Sequence, residues 1–231
     1  CFLWKPAGWT VTVVNSGNRG GPGSSPAAGP KPRSGGGPEL QRWLAGVMGP
    51  VHPIALDAGV SHGLLHRLDR DTSGAVLWAT SYSGYYGGLL HFAAGRVRKE
   101  YVCLCHGWLP QFPQNLQASL LEPPPQRCFT RTIISHRGKP ASTEIVAVAH
   151  LVDAAVGTIS LADVRIHTGR RHQIRAHFGY MGHPLVGDTA YGASRADRYP
   201  HVFLHARALG IRSEGIALRA VVSLPPELVQ V

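Results

Sequence analysis

Three runs rich in β-branched or alternating residues constrain this chain more than any other feature. Residues 100–105, 143–149 and 158–167 each have the make-up that suits a pleated, half-buried surface. Helical patterns are scattered around them, without the regular strand-helix repeat that builds a parallel sheet, so the order predicts an α+β class. In the third run apolar residues sit at Ile159 and Leu161, then at Val164 and Ile166. That change of phase predicts a bulge or bend near Ala162 and Asp163.

The helical patterns are short. Leu40, Trp43, Leu44 and Val47 recur at helical spacing behind Pro38, which suits the first helical position. Residues 81–94 place Tyr86, Leu89, Leu90 and Ala93 on one face, although Gly84, Gly87 and Gly88 make the segment a weak intrinsic helix that packing must hold. From His172 onward Ile174, Phe178 and Met181 follow a helical period, and Gly182-His183-Pro184 supplies a stop. Residues 16–37 are dominated by Gly, Pro and Ser, which bury too little to offset their ordering entropy, and read as a flexible insertion. Apart from that insertion, residues 1–231 are expected to form a single domain.

Charge narrows the partners. Twenty-three Lys and Arg against thirteen Asp and Glu leave a formal net charge of +10, which draws polyanions and makes nucleic acid the first partner to consider. Cys1, Cys103, Cys105 and Cys128 are too few and too irregular for a disulfide framework or a paired zinc knuckle. Cys103 and Cys105 share one face of a strand-like run and are expected in the core. No apolar run approaches the length of a membrane span, so no membrane partner is expected. The chain opens at Cys1 rather than Met and reads as an excerpt, with an intracellular setting, cytoplasmic or organellar, as the expectation.

Two stretches concentrate charge, Gly and His. The first is His66-Arg67-Leu68-Asp69-Arg70-Asp71-Thr72-Ser73-Gly74, followed at once by the apolar residues 75–79. A carboxylate between Arg67 and Arg70 has its ionised form favoured by positive charge, as a nucleophilic carboxylate requires; an ordinary charged turn before a strand is the plainer alternative. The second runs from Arg165 to His177 and straddles a strand-to-helix junction, where backbone N–H groups and guanidinium forks suit phosphate or a carboxylate. His172 and His177 are five apart, about 140° around a helix, which excludes clamping one metal ion between them.

The first stretch resembles the signature of the RluA family of pseudouridine synthases, His-Arg-Leu-Asp, two variable positions, Thr-Ser-Gly. The second is similar to that family's Thr-Gly-Arg-x-His-Gln-Ile-Arg-x-His element, continued here by Gly182-His183-Pro184-Leu185-Val186-Gly187-Asp188 and Tyr191-Gly192. Lys5-Pro6-Ala7-Gly8, Lys99-Glu100-Tyr101 and Leu204-His205-Ala206 fall in the family's order, so the likeness runs from about residue 2 to about residue 225. The insertion at 16–37 departs from the compact bacterial pattern.

The resemblance implies a mixed, largely antiparallel sheet with flanking helices and a central RNA cleft. It implies Asp69 as the catalytic aspartate, Arg67 as the arginine that enters the RNA where uridine is flipped out, and Tyr101 as the tyrosine that packs on the target base. Arg175 is expected to pair with Asp69, with Arg170 as second candidate, and Arg170, His172 and Gln173 are expected to contact substrate. The reaction implied is isomerisation of uridine in structured RNA, ribosomal or transfer, by a monomer that needs neither metal nor other cofactor. Two rivals stand beside it: a catalytically inactive RNA-binding protein of the same fold, and a hydrolase using paired carboxylates, which Asp69 and Asp71 support poorly at a spacing of two.

Overall fold

The structure is a computed structural model and describes residues 1–13, 37–111, 114–122, 131–154, 156–194, 199, 201–213 and 215–229. All of the Gly/Pro/Ser insertion except Gly37, and Cys128, lie outside the described residues.

In chain order the elements are β1 (Phe2–Lys5), α1 (Leu40–Val47), β2 (Ser73–Leu77), α2 (Tyr82–Ala93), β3 (Val97–His106), β4 (Gln114–Gln117), β5 (Leu120–Leu121), β6 (Ile133–Ile134), β7 (Ser142–Asp153), β8 (Gly157–Ile166), α3 (Gln173–Tyr180), β9 (Leu204–Ser213), β10 (Ile216–Val221) and α4 (Pro226–Val229). Seven strands form one path, β1-β2-β9-β3-β8-β7-β4, with β10 added to β9, while β5 and β6 pair separately. Every pairing in the large sheet is antiparallel except β2 with β9. The fold is the expected α+β arrangement on a mixed, largely antiparallel sheet.

The three strand-like runs are β3, β7 and β8; β3 and β7 extend past their apolar signal because charged and small residues continue the pairing, while β8 keeps its length. The change of phase in β8 is not a bulge in β8. Ser160, Ala162, Val164 and Ile166 alternate without interruption toward the face that carries Tyr101, while Ile159 and Leu161 pack on the other face with Leu104 and Phe203. Apolar residues change sides because the covered face changes, and the register shift lies across from it, between Ile145 and Ala147 of β7. Cys103 and Cys105 are buried in the core as expected.

Two helices differ from expectation. Pro38 precedes α1 rather than opening it, because Thr10 and Glu39 pair as a short extended bridge; Leu40 and Leu44 are buried while Trp43 and Val47 are exposed. In α2 the buried residues are Tyr85 and Gly88, with Tyr86 and Leu90 exposed. Gly88 sets that choice: a Cβ there would lie 2.7 Å from Leu65 Cδ1, so the helix turns its smallest side toward the protein.

Candidate active site

The Asp69 segment is a loop between the 3₁₀ turn at Ala58–Gly63 and strand β2, and its backbone is tied from three directions. Lys5, at the end of β1 and wholly buried, donates from Nζ to the carbonyls of Pro6 (2.9 Å), Arg70 (2.9 Å) and Thr72 (2.6 Å). Burial lowers the Lys5 ammonium to about 8, against the opposing charges of Asp71 and Asp69. The Gly8 N–H donates to the Arg70 carbonyl at 2.8 Å, and His66 Nε2 accepts the Leu77 N–H at 2.9 Å. Burial, reinforced by Lys99 and opposed by a bond to the Arg67 backbone, brings the imidazole of His66 down to about 4, so it stays neutral and keeps that lone pair.

Downstream, Ser73 and Gly74 pair in parallel with His205 and Ala206. Gly74 has φ +124°, and a Cβ there would meet the Ala206 backbone at 2.3 Å, so only glycine allows the strands this close. Ser73 Oγ and His205 Nδ1 are 2.9 Å apart, both buried. The loop thus presents Leu68 to the core, Arg67 to solvent and Asp69, at 18% exposure, to the space between.

Across that space lie β3 and the turn into α3. Tyr101, buried on β3, has its phenol held in the neutral form by burial and by the Asp69 charge. Arg175 does not pair with Asp69 as expected. It makes a bidentate bond to Asp188, Nε to Oδ2 at 2.7 Å and Nη2 to Oδ1 at 2.8 Å, and lies over the Tyr191 ring at 5.2 Å. Asp188 is fully enclosed and takes the guanidinium as its counter-ion, whereas half-open Asp69 reaches Arg175 only through charge. Burial works against that guanidinium's charge, but the Asp188 bonds and the charges of Asp188 and Asp69 outweigh it and raise its pKa.

The nitrogen that approaches Asp69 is His172 Nε2, 3.9 Å from Oδ1. His172 caps α3 at φ 52°, a left-handed conformation that a non-glycine residue holds at some cost. Tyr191 donates its hydroxyl proton to the Thr132 carbonyl (3.0 Å), so its oxygen accepts from His172 Nδ1 (3.1 Å). This leaves Nε2 toward Asp69. Burial lowers the His172 pKa, opposed by Asp69 and Asp188 and aided by Arg175 and Arg171.

Gln173 also departs from expectation. Its amide donates to the Ser142 carbonyl and Thr143 Oγ1, both at 2.9 Å, and accepts from Thr168 Oγ1 (2.7 Å) and the Arg170 N–H (3.1 Å). Every hydrogen-bonding position is committed inside the protein, so Gln173 shapes the 168–173 turn and is not left to contact substrate. Arg170 donates from Nε to the Pro140 carbonyl (3.0 Å), and Lys99 Nζ reaches the Thr168 carbonyl (3.3 Å). His177 bonds Thr143 Oγ1 and the Ala118 carbonyl, away from Asp69.

Asp69, Tyr101, Arg175 and His172 therefore converge, with Arg67 and Arg170 at the periphery. Lys5, Asp188 and Tyr191 belong to the same centre without having been assigned roles from sequence. Their only signal was membership of short motifs, since nothing in their spacing brings them near Asp69.

A family profile described as RNA pseudouridylate synthase matches residues 56–180, which include both charged stretches. The chain belongs to this family. Similar relatives include an RNA pseudouridine synthase of Chloroflexus aurantiacus, 35% identical over 159 residues, covering 68% of this chain and 48% of the relative. Ribosomal large subunit pseudouridine synthase C of Escherichia coli K12 is 33% identical over 160 residues, 66% of this chain and 49% of that protein. The chain spans about half the length of the curated relatives it matches. Among solved structures, human RNA pseudouridylate synthase domain containing 1 superposes with a TM-score of 0.63 at 29% identity, covering 71% of each chain. Among the described residues, no helix of this pseudouridylate synthase family member is long and apolar enough to cross a membrane.

Proposed function

We propose that the chain isomerises uridine in structured RNA, ribosomal or transfer, to pseudouridine, with Asp69 as the catalytic carboxylate. The observation that carries this reading is the convergence of Asp69, Tyr101 and the α3 cap on one space, from positions 32 to 103 residues apart, inside a family of RNA pseudouridylate synthases. The E. coli relative's name specifies the large ribosomal subunit, which favours ribosomal RNA among substrates.

The chemistry requires uracil to leave the stack, detach from the sugar, turn and rejoin through C5. Arg67, exposed beside Asp69, is placed to enter the helix where the nucleotide leaves it. Asp69 acts at C1′, at C6, or as a base at C2′; each route uses the same half-open carboxylate. Tyr101 lies beneath the base and, with its phenol neutral, moves a proton only by relay. The Arg175–Asp188 pair and His172 fix the far wall. Metal or other cofactor has no step in this route.

Residues 1–231 are read as one catalytic domain, supported by a sheet that takes β1 from one end of the chain and β9 and β10 from the other. A monomer in an intracellular compartment, cytoplasmic or organellar, completes the reading.

Tritium release from C5-labelled uridine RNA tests it. Wild-type chain is expected to release tritium, and Asp69→Asn to lose at least about a thousandfold, about 4 kcal/mol of barrier, with RNA affinity and melting temperature unchanged. Residual turnover above a few per cent would remove Asp69 from the chemistry. Binding without release by the wild type would favour the inactive RNA-binding rival.

A further inference from the structure

On the face of the sheet away from Asp69, strand register lines up charges that the proposed reaction does not use. Glu144 of β7, Arg165 of β8 and Glu100 of β3 lie directly opposite one another across three strands, and Arg98 of β3, Gly210 of β9 and Arg219 of β10 form a parallel row. Glu100 is buried and takes Arg98 Nε, Arg219 Nη2 (3.1 Å) and, at 3.9 Å, Arg165 Nη2. Glu144 holds Arg165 Nη1 (3.0 Å) and His167 Nε2 (3.1 Å). Two carboxylates thus anchor three guanidiniums from beneath, while Arg98 and Arg219 keep 58% and 62% of their side chains in solvent.

Between these arginines runs a trough. One groove of about 460 Å³ is walled by Arg98, Arg212 and Arg219 over a floor of Gly210 and Ala217. An adjoining groove of about 400 Å³ shares Arg98 and Arg212 and continues past Arg96 and Arg165 to His167. His167 precedes Thr168, whose carbonyl is held by Lys99 from the side of Tyr101, so the trough ends at the turn that borders the catalytic cleft. With Arg207 and its partner Asp163, the described residues of the face include six arginines against three carboxylates, a surplus of three positive charges. It crosses four strands, about 15 Å, room for a few extended nucleotides.

We propose that this trough is a second RNA-binding surface, which holds the single-stranded backbone flanking the modified uridine as it leaves the cleft over the 167–171 turn. Anchored guanidiniums lose little freedom on taking a phosphate, and an apolar floor between them suits the face of an unstacked base. An acidic peptide would match the rims but would not use the floor. The proposal rests on RNA being the substrate.

The test compares the wild-type chain with Arg212→Gln/Arg219→Gln, two exposed arginines outside the catalytic centre. Anisotropy titrations use a fluorescein-labelled oligouridylate of about twelve nucleotides across a range of salt, with polyglutamate as competitor, beside melting curves and tritium release from a C5-labelled ribosomal RNA transcript at saturation. The double variant is expected to bind oligouridylate about tenfold more weakly, with a salt slope shallower by about 1.4, and to melt and turn over as wild type. Unchanged affinity and slope would overturn the proposal, as would polyglutamate displacing the RNA at equal charge. Should the double variant melt lower, Arg212→Gln alone decides, with about a threefold loss expected. Absence of tritium release with the binding loss intact would sink the isomerase reading and leave the trough. Normal release with unchanged binding would sink the trough alone.

Discussion

Asp69 stands on a segment held through its backbone, whereas Arg175 and His172 stand on one held through its side chains. On the first side, Lys5 takes the Arg70 and Thr72 carbonyls, His66 takes the Leu77 N–H, and Gly74 brings β2 against Ala206, so the side chains of Arg67 and Asp69 are left for other work. On the second, Arg175 is bound to Asp188, His172 to Tyr191 and Gln173 to four separate groups. A substitution on the first side can remove the proposed reacting group and spare the fold. On the second side most substitutions break a buried network, so loss of activity there is easily mistaken for loss of chemistry.

The largest expected effect sharpens that contrast. Arg175→Met leaves Asp188 charged, enclosed and unpaired, and is expected to lower the unfolding free energy by about 3–5 kcal/mol in urea titrations. Adding Asp188→Leu should return most of that loss, because the pair is then replaced by apolar packing. A loss below about 1 kcal/mol, with turnover abolished, would return Arg175 to a direct partnership with Asp69 and break the comparison.

Tyr101 sits between the two sides. Its buried phenol stays protonated, so Tyr101→Phe is expected to slow tritium release about a hundredfold, about 2.7 kcal/mol, through loss of a relay, with melting unchanged. Wild-type release would reduce Tyr101 to packing or stacking. In Tyr101→Leu, a stability loss of about 3–5 kcal/mol without a specific defect in the folded fraction would make it an ordinary core aromatic.

The smallest effect concerns pH. His66 is neutral in the folded protein down to about 4 and titrates near 6.5 when unfolded. Between those values the unfolded chain binds the extra proton, so stability falls as pH falls through this window. His66→Gln, whose amide oxygen can accept the Leu77 N–H, should flatten that part of the pH profile. An unchanged acid slope would mean that His66 does not anchor the loop through a neutral imidazole.

Legibility in the sequence followed the physics of each element. The β-branched runs announced β3, β7 and β8 because pairing and burial there depend on the side chains themselves. Strand β9 was missed, although it is central: its buried residues include Ala206, Ala208 and His205, which carry little strand preference and are held by neighbours on both sides. The buried face of α2 was misread because hydrophobicity pointed to Tyr86 and Leu90, while close approach to Leu65 selected Gly88. Asp69 and Tyr101 were singled out as candidates through motifs. The partner of Arg175 was not, because which of two nearby carboxylates takes a guanidinium is decided by enclosure, and enclosure is set by the fold.

The parallel join of β2 to β9 also sets an order of events during synthesis. Ser73 and Gly74 find their partners His205 and Ala206 only after a further 132 residues have been made. A nascent chain therefore carries the Asp69 loop through synthesis of those intervening residues without the strand that finishes it, while β3 with β8 and β7 with β8 close over shorter separations. Under the proposed role of Asp69, competence is expected only once β9 has left the ribosome.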